Sequence, residues 1–291
     1  MEAKRDVDLA GAAGLISVAL LLAFNQVVVK VTTDGFGPVF QAGMRSAGAI
    51  GVMALWIWAR GLDVSIPRQV WLWGFVSGGF FALEFLLLFS ALDLTTVSRA
   101  SIVFYSMPVW LAIGSHILLP GERLTRWRSA GLVLSMAGVA LALVDNRGAG
   151  GSFAGDVMAL GAAMCWAAIA LCVRATPLHR VRPELQLMFQ LVTSALVLLA
   201  LAPAFGPLLR GPELIHWSGL VFQIVAVASL GFLFWFRLLA TYKASGVASF
   251  SFLSPVFAVL MGWLMLGEVI GPQIWAALVM VAAGIFLINR G

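Results

Sequence analysis

Two stretches that read as copies of one another decide the fold. Residues 91–141 run ALDLTTVSRASIVFYSMPVWLAIGSHILLPGERLTRWRSAGLVLSMAGVAL, and residues 245–288 run SGVASFSFLSPVFAVLMGWLMLGEVIGPQIWAALVMVAAGIFLI. The first carries Ser98, Ser101, Tyr105, Pro108, Gly121-Glu122 and Gly138. The second carries Ser245, Ala248, Phe252, Pro255, Gly267-Glu268 and Gly284. Serine precedes proline by ten residues in both, and glutamate precedes the last glycine by sixteen in both. One residue of slippage separates the blocks, between the proline and the Gly-Glu. An ordered set of this kind marks an internal duplication rather than chance likeness between Leu- and Ala-rich helices.

The composition around the repeat names the solvent. Of 291 residues, 62% are hydrophobic and only 11% charged, against about 25% charged in an ordinary soluble domain. Mean hydropathy is +1.01. A soluble fold of this size could not cover so much apolar surface, so lipid must do it. The net charge of +5 does not indicate nucleic acid, because the basic residues lie in short gaps between apolar runs instead of forming a contiguous face.

A membrane-crossing helix needs about 20 mostly apolar residues. Ten runs meet that length, at about 10–31, 36–60, 68–92, 97–119, 126–144, 154–176, 184–204, 214–241, 245–267 and 271–289. They are continuous rather than alternating, which excludes a barrel. The first is too long for a signal-peptide core and has no convincing cleavage site after it. The expected class is therefore an all-α membrane protein with ten transmembrane helices. With the N-terminus cytoplasmic, thirteen Lys and Arg fall inside and four outside, which places both termini in the cytoplasm. Trp56, Trp58, Trp71, Trp73 and Trp127 adjoin basic residues, as an interfacial belt requires.

The Gly-rich 148–153 segment reads as a linker between a first five-helix half, 1–147, and a second, 154–291. Five is odd, so the second half enters the membrane inverted. Inverted halves meeting at the midplane are a transporter architecture. The two quoted blocks resemble the EamA repeat of the drug/metabolite transporter superfamily, with the P-V-[FW] and G-E elements at their spacing the most specific parts. That resemblance covers the whole chain as two tandem repeats. It implies a multi-pass protein of the bacterial inner (plasma) membrane that exports amino acids or related metabolites by alternating access. Its aromatic amino acid exporter branch is the nearest functional match. It implies no cofactor and no nucleic-acid partner, only a small-molecule substrate and the bilayer, in a monomer or homodimer. The early part of each repeat matches less well. Arg45 has no basic counterpart near Gln190, so the halves are expected to contribute unequally.

Ionisable groups deep in a span are costly and mark function by default. Arg45 and Glu84 lie at similar depths in the second and third runs. They can form a buried pair that fixes packing, or one of them can meet a charge on the substrate. Ser98, Ser101, Tyr105 and Pro108 share a helical face. So do Ser245, Ala248, Phe252 and Pro255. Each face is either a small-residue packing seam or a cavity wall, with hinges at Pro108 and Pro255. Trp110 and Trp166 sit mid-helix, suited to an aromatic substrate body or to ordinary packing. Asn25, Gln41 and Gln190 add polar groups, as do Gln186 and Gln223, and all of these can equally bond between helices.

No metal or catalytic motif emerges. His116, His179 and His216 are single and far apart, and the 13 acidic residues are scattered, so enzyme chemistry is not expected. Cys165 and Cys172, seven residues apart on one helix, stand about 10 Å apart along its axis, too far for a disulfide.

Overall fold

The computed structural model describes residues 5–119, 124–144, 151–242 and 250–290, and it is helical nearly throughout. In chain order the helices are α1 (Leu9–Thr33), α2 (Pro38–Ala59), α3 (Arg68–Leu94), α4 (Val97–Phe104), α5 (Met107–Leu118), α6 (Arg126–Val144) and α7 (Phe153–Ala175). After these come α8 (Pro183–Leu201), α9 (Leu214–Phe222), α10 (Phe232–Thr241), α11 (Leu253–Leu266) and α12 (Pro272–Arg290).

Eight segments are long and apolar enough to cross a membrane, counting α4 with α5 and α9 with α10 as single segments. Leu253–Leu266 is apolar but shorter. At 22 residues α2 is long enough, yet it is not among the eight. It carries Gln41 and Arg45 together with Gly43, Gly48 and Gly51, so its length is partly spent on polar and small residues. Large apolar side chains such as Leu72, Leu196, Leu264 and Val279 stand well exposed on the outside. The chain is a multi-span membrane protein, with polar groups turned inward.

Two of the expected continuous helices are interrupted. The 97–119 run breaks at Tyr105-Ser106, with Pro108 in the first turn of α5. Proline offers no N–H to the carbonyl of Phe104 and clashes with it, which ends α4 there. The 214–241 run holds a π-helical stretch, Gln223–Gly231, between α9 and α10. The Ser229 hydroxyl donates to the carbonyl of Ile224, five residues back, at 2.8 Å. Pro255 is the third residue of α11, where a missing N–H leaves no helix bond unmade. The expected start of that run at 245–249, including Ser245 and Ala248, lies outside the described residues, as do Glu122 and residues 148–150 of the 148–153 linker.

Small residues set the closest helix contacts. The Gly74/Gly78 pair of α3 faces Phe189 and Thr193 of α8, so this motif joins helices within the chain. In the α6–α12 seam, a Cβ on Gly131 would stand 2.5 Å from the Gly284 carbonyl oxygen, and one on Gly138 2.9 Å from that of Ala277. Two of these, Gly138 and Gly284, are the last glycines of the two repeat blocks.

Asp8 ties the start of α1 to the end of α10. It caps α1 by accepting from the Gly11 N–H at 2.7 Å, and it accepts from the Tyr242 hydroxyl at 2.8 Å. The Gly11 bond first, then Tyr242, hold its carboxyl below the ordinary 3.8. A carboxyl depressed in the folded state stabilises the fold above its ordinary pKa, and that contribution is lost as pH falls through the depressed value.

Replacing Gly131 by Leu is expected to cost about 1–3 kcal/mol, because backbone atoms on α12 cannot yield to a side chain. The same change at Gly51, which faces open space, is expected to cost far less. Thermal unfolding of the purified variants in detergent measures both. Asp8→Asn is expected to lower the midpoint at neutral pH and to flatten its decline in acid.

Candidate transport site

The polar residues of the spans fall into two groups, one in mid-bundle and one at an end. The mid-bundle group starts from Arg45, whose side chain is fully buried at 1% exposure. Its guanidinium carbon lies 3.7 Å from the centre of the Phe85 ring and 5.3 Å from that of Phe89. Its Nε and Nη2 make no hydrogen bond. The acidic side chain near it is Glu84, also buried, one residue before Phe85 on α3. The two form no direct ion pair, so the pairing that their depth allowed is a long-range one.

A series of neighbours leads from Arg45 and Glu84 round the bundle interior. Glu84 lies near Cys165 on α7. The next residue, Trp166, stacks on Phe104 at 5.0 Å with the rings 16° apart, and meets Tyr105 edge-on at 6.2 Å. The Tyr105 hydroxyl lies against the side chain of Gln26 on α1. One turn along α1, the carbonyl of Val29 accepts from Gln41 Nε2 at 3.4 Å. Gln41 stands one turn before Arg45, which closes the circuit. Gln41 Nε2 also donates to Gln223 Oε1 at 3.2 Å, at the start of the π-helical stretch.

Within this circuit several buried polar atoms have no partner: Asn25 Oδ1, Gln26 Oε1, Gln41 Oε1, Arg45 Nε and Nη2, Ser46 Oγ and Ser101 Oγ. Buried polar groups are ordinarily hydrogen-bonded, and an unpaired one in a lipid-solvated interior costs more than in water. Each of these atoms is free to take a partner from a bound molecule.

Of the residues singled out in the sequence, Gln41, Arg45, Glu84, Tyr105 and Trp166 lie on this path, while Asn25, next to Gln26, and Ser101, one turn before Tyr105, are buried with an unpartnered oxygen. Three others make their contacts elsewhere. Gln190 Nε2 donates to Ser77 Oγ at 3.1 Å, joining α8 to α3. Trp110 Nε1 donates to Ser106 Oγ at 3.3 Å, just past the helix break. Phe252 meets Phe286 of α12 edge-on at 6.2 Å. Gln26 and Phe85 were not singled out. Gln26 stood beside Asn25 in plain view, whereas Phe85 was one phenylalanine among 20.

The end group closes one end of the bundle. Arg99 of α4 and Asp156 of α7 form a buried ion pair, 3% and 0% exposed. Thr95 Oγ1 donates to Asp156 Oδ1 at 3.0 Å. The Glu268 carboxylate accepts from the N–H groups of Val97 at 2.6 Å and Ser98 at 2.9 Å, and from the Ser98 hydroxyl. An anion here satisfies the free donors at the start of α4. Gly267, in the left-handed region at φ 64°, ends α11 and turns the chain so that Glu268 reaches back. Gly262 leaves the carboxylate its space, since a Cβ there would lie 2.6 Å from Glu268 Oε2. This gives the Gly-Glu of the second block a physical role. Nearby, Lys30 donates to the carbonyls of Asp93 and Thr95, and Arg210 pairs with Asp93. In the sequence Arg99 is one of the four basic residues placed outside, and its pairing across helices is not visible there.

The sequence profile of the EamA-like transporter family matches residues 9–144 and, a second time, 153–290. The chain is 32% identical over 193 residues to a protein of Ancylobacter novellus named aromatic amino acid exporter YddG, an alignment covering 63% of this chain and 65% of that one. It is 27% identical over 286 residues to a probable amino-acid metabolite efflux pump of Salmonella typhimurium, covering 93% of this chain and 91% of that one. A solved crystal structure covers 96% of both chains with a TM-score of 0.68 at 23% identity, which shows a shared fold.

Asp156→Ala is expected to cost about 3–5 kcal/mol, because it takes the Asp156 carboxylate away from a buried guanidinium. Chemical or thermal unfolding of the purified variant checks this. The double variant Arg99→Met with Asp156→Leu is expected to recover most of the loss.

Proposed function

We propose that this chain, which belongs to the EamA-like transporter family, is a ten-pass inner-membrane secondary transporter that exports aromatic or large apolar amino acids by alternating access. The observation that carries this reading is the mid-bundle circuit. In it Gln26, with a free amide oxygen, lies against Tyr105, which meets the Phe104 and Trp166 rings, and the partly unpartnered Arg45 guanidinium lies against Phe85. An amino acid with an aromatic body offers complements to both. The names of the two relatives point the same way.

The inverted halves draw support from the α6–α12 seam. Gly138 approaches Ala277, and Gly284 approaches Gly131. Each member of one pair corresponds to a member of the other at a single offset of 146 residues (138 with 284, 131 with 277). Reciprocal contacts of this kind are what a two-fold axis between like units produces. Other packing follows the same exchange, with α1 on α11 as α7 is on α4 and α5. The ten-pass count takes α2 and α11 as spans despite their polarity and length, and it takes both termini as cytoplasmic from the thirteen-to-four basic bias. The helix break before Pro108, and Pro255 at the start of α11, are the positions where one half would flex against the other.

Counterflow of radiolabelled amino acids by the purified protein in liposomes tests the proposal. Saturable transport of phenylalanine, tryptophan or leucine is expected, with charged amino acids poorly accepted. Trp166→Ala is expected to weaken aromatic substrates by about tenfold, in line with loss of a stacked ring contact worth about 1 kcal/mol or more. Absence of transport for every amino acid, by protein shown to be folded, overturns the substrate assignment.

A further inference from the structure

The unpartnered atoms include charged donors on α2 and amide oxygens on both α1 and α2. On α2 stand Arg45 Nε and Nη2, carrying positive charge, with Gln41 Oε1 one turn before them. On α1 stand the acceptors Asn25 Oδ1 and Gln26 Oε1. Arg45, Asn25 and Gln26 are more than nine-tenths buried, at 1%, 6% and 3% exposure. None can turn to water, and each lacks the partner its chemistry requires. A guanidinium with adjacent free Nε–H and Nη2–H is a fork that fits a carboxylate by two parallel bonds. An amide oxygen accepts from an ammonium.

We infer that Arg45 is the anchor for the α-carboxylate of the substrate and that the amide oxygens of Asn25 and Gln26 receive its α-ammonium, so that the site demands both groups free at once. This rests on the transport reading above and deepens it by assigning an orientation. Several features fix that orientation. The Phe85 ring lies against the guanidinium and the Phe89 ring is 5.3 Å from it, which holds the fork in place. Gln41, one turn away, spends its Nε2 on Val29 and Gln223 and so does not compete for the carboxylate. The Tyr105 hydroxyl stands beside Gln26, which sets the ammonium end next to the aromatic wall of Phe104, Tyr105 and Trp166. The substrate side chain then lies along that wall.

The two ends of a zwitterion each meet a complementary group here, the carboxylate at the Arg45 fork and the ammonium at the amide oxygens, and the ligand brings no net charge into the lipid-solvated interior. The site should therefore discriminate by headgroup before it discriminates by side chain.

The test uses wild-type protein in liposomes, with counterflow of radiolabelled phenylalanine and competition by three analogues: phenylalanine amide without the carboxylate, N-acetylphenylalanine without the ammonium, and phenethylamine. Each analogue is expected to compete at least about tenfold less well than phenylalanine, as loss of a charge-assisted bond implies. Arg45→Gln is expected to lose most of its preference for phenylalanine over the amide while still ranking phenylalanine above N-acetylphenylalanine. Gln26→Leu is expected to do the reverse. If Arg45→Gln proves unfolded, Arg45→Lys, which keeps the charge but not the fork, is expected to bind phenylalanine more weakly yet to retain its order of preference. Transport of phenylalanine with equal competition by the amide overturns this inference and leaves the transport reading standing. No transport of any amino acid by folded wild-type protein overturns the transport reading, and this inference falls with it.

Discussion

A guanidinium held about two helical turns inside a lipid-solvated bundle is the constraint around which the rest of the structure is arranged. Arg45 cannot shed its charge under ordinary conditions, and lipid offers it nothing. The protein meets the charge with two phenylalanine rings and with Glu84 at a distance, rather than with a full set of hydrogen bonds. That choice is expensive as packing and sensible as a binding site. Had the charge served only to fix the fold, a direct ion pair would have done it more cheaply, as Arg99 and Asp156 show elsewhere in the same molecule. The contrast between the two arginines, one paired at the end of the bundle and one with free donors in its middle, is what sets Arg45 apart.

Holding such a site open requires the surrounding helices to approach one another closely without bulky side chains. Glycine provides this in the α3–α8 contact and in the α6–α12 seam, where backbone meets backbone. With no hydrophobic drive between helices in lipid, close packing of this kind is what association depends on. The end network does complementary work. Glu268, Arg99, Asp156, Lys30 and Arg210 join α1, α3, α4, α7 and the connections before α9 and after α11. The chain is thus tied where its helices begin and end, and left with unsatisfied groups where a ligand would supply the partners.

Much of this was legible from residues alone. Apolar run lengths gave the helices, and Arg45, Glu84, Tyr105 and Trp166 announced themselves as polar or large aromatic groups at mid-span. The repeat pointed to Glu268 and to the paired glycines, although it did not say what they do. What could not be read was partnership. Gln190 and Asn25 look alike in the sequence, as two amides within spans, yet one is bonded to Ser77 and the other has an oxygen left free. Arg99 looked like a surface charge because it lies three residues into its helix, and only the approach of α7 makes it a buried ion. Trp110 and Trp166 were equivalent by depth. The helix break at Tyr105-Ser106 leaves Trp166 in the circuit and puts Trp110 one turn past the break. Contacts between helices distant in sequence decide these cases, and no local pattern encodes them.

The two backbone irregularities bear on how such a site could work. Broken or widened helices are tolerated at membrane depth where they are buried in protein, and transporters place them at the substrate. Here the α4–α5 break follows Tyr105, and the π-helical stretch begins at Gln223. Tyr105 touches Gln26 and Trp166, while Gln223 bonds to Gln41. Both irregularities therefore adjoin the mid-bundle circuit. A regular helix transmits displacement along its whole length, whereas a break or a π-helical turn lets one end move while the other stays packed. Because each irregularity carries a residue of the circuit or one bonded to it, ordering the circuit around a ligand would act directly on the two places where the backbone can most readily change shape.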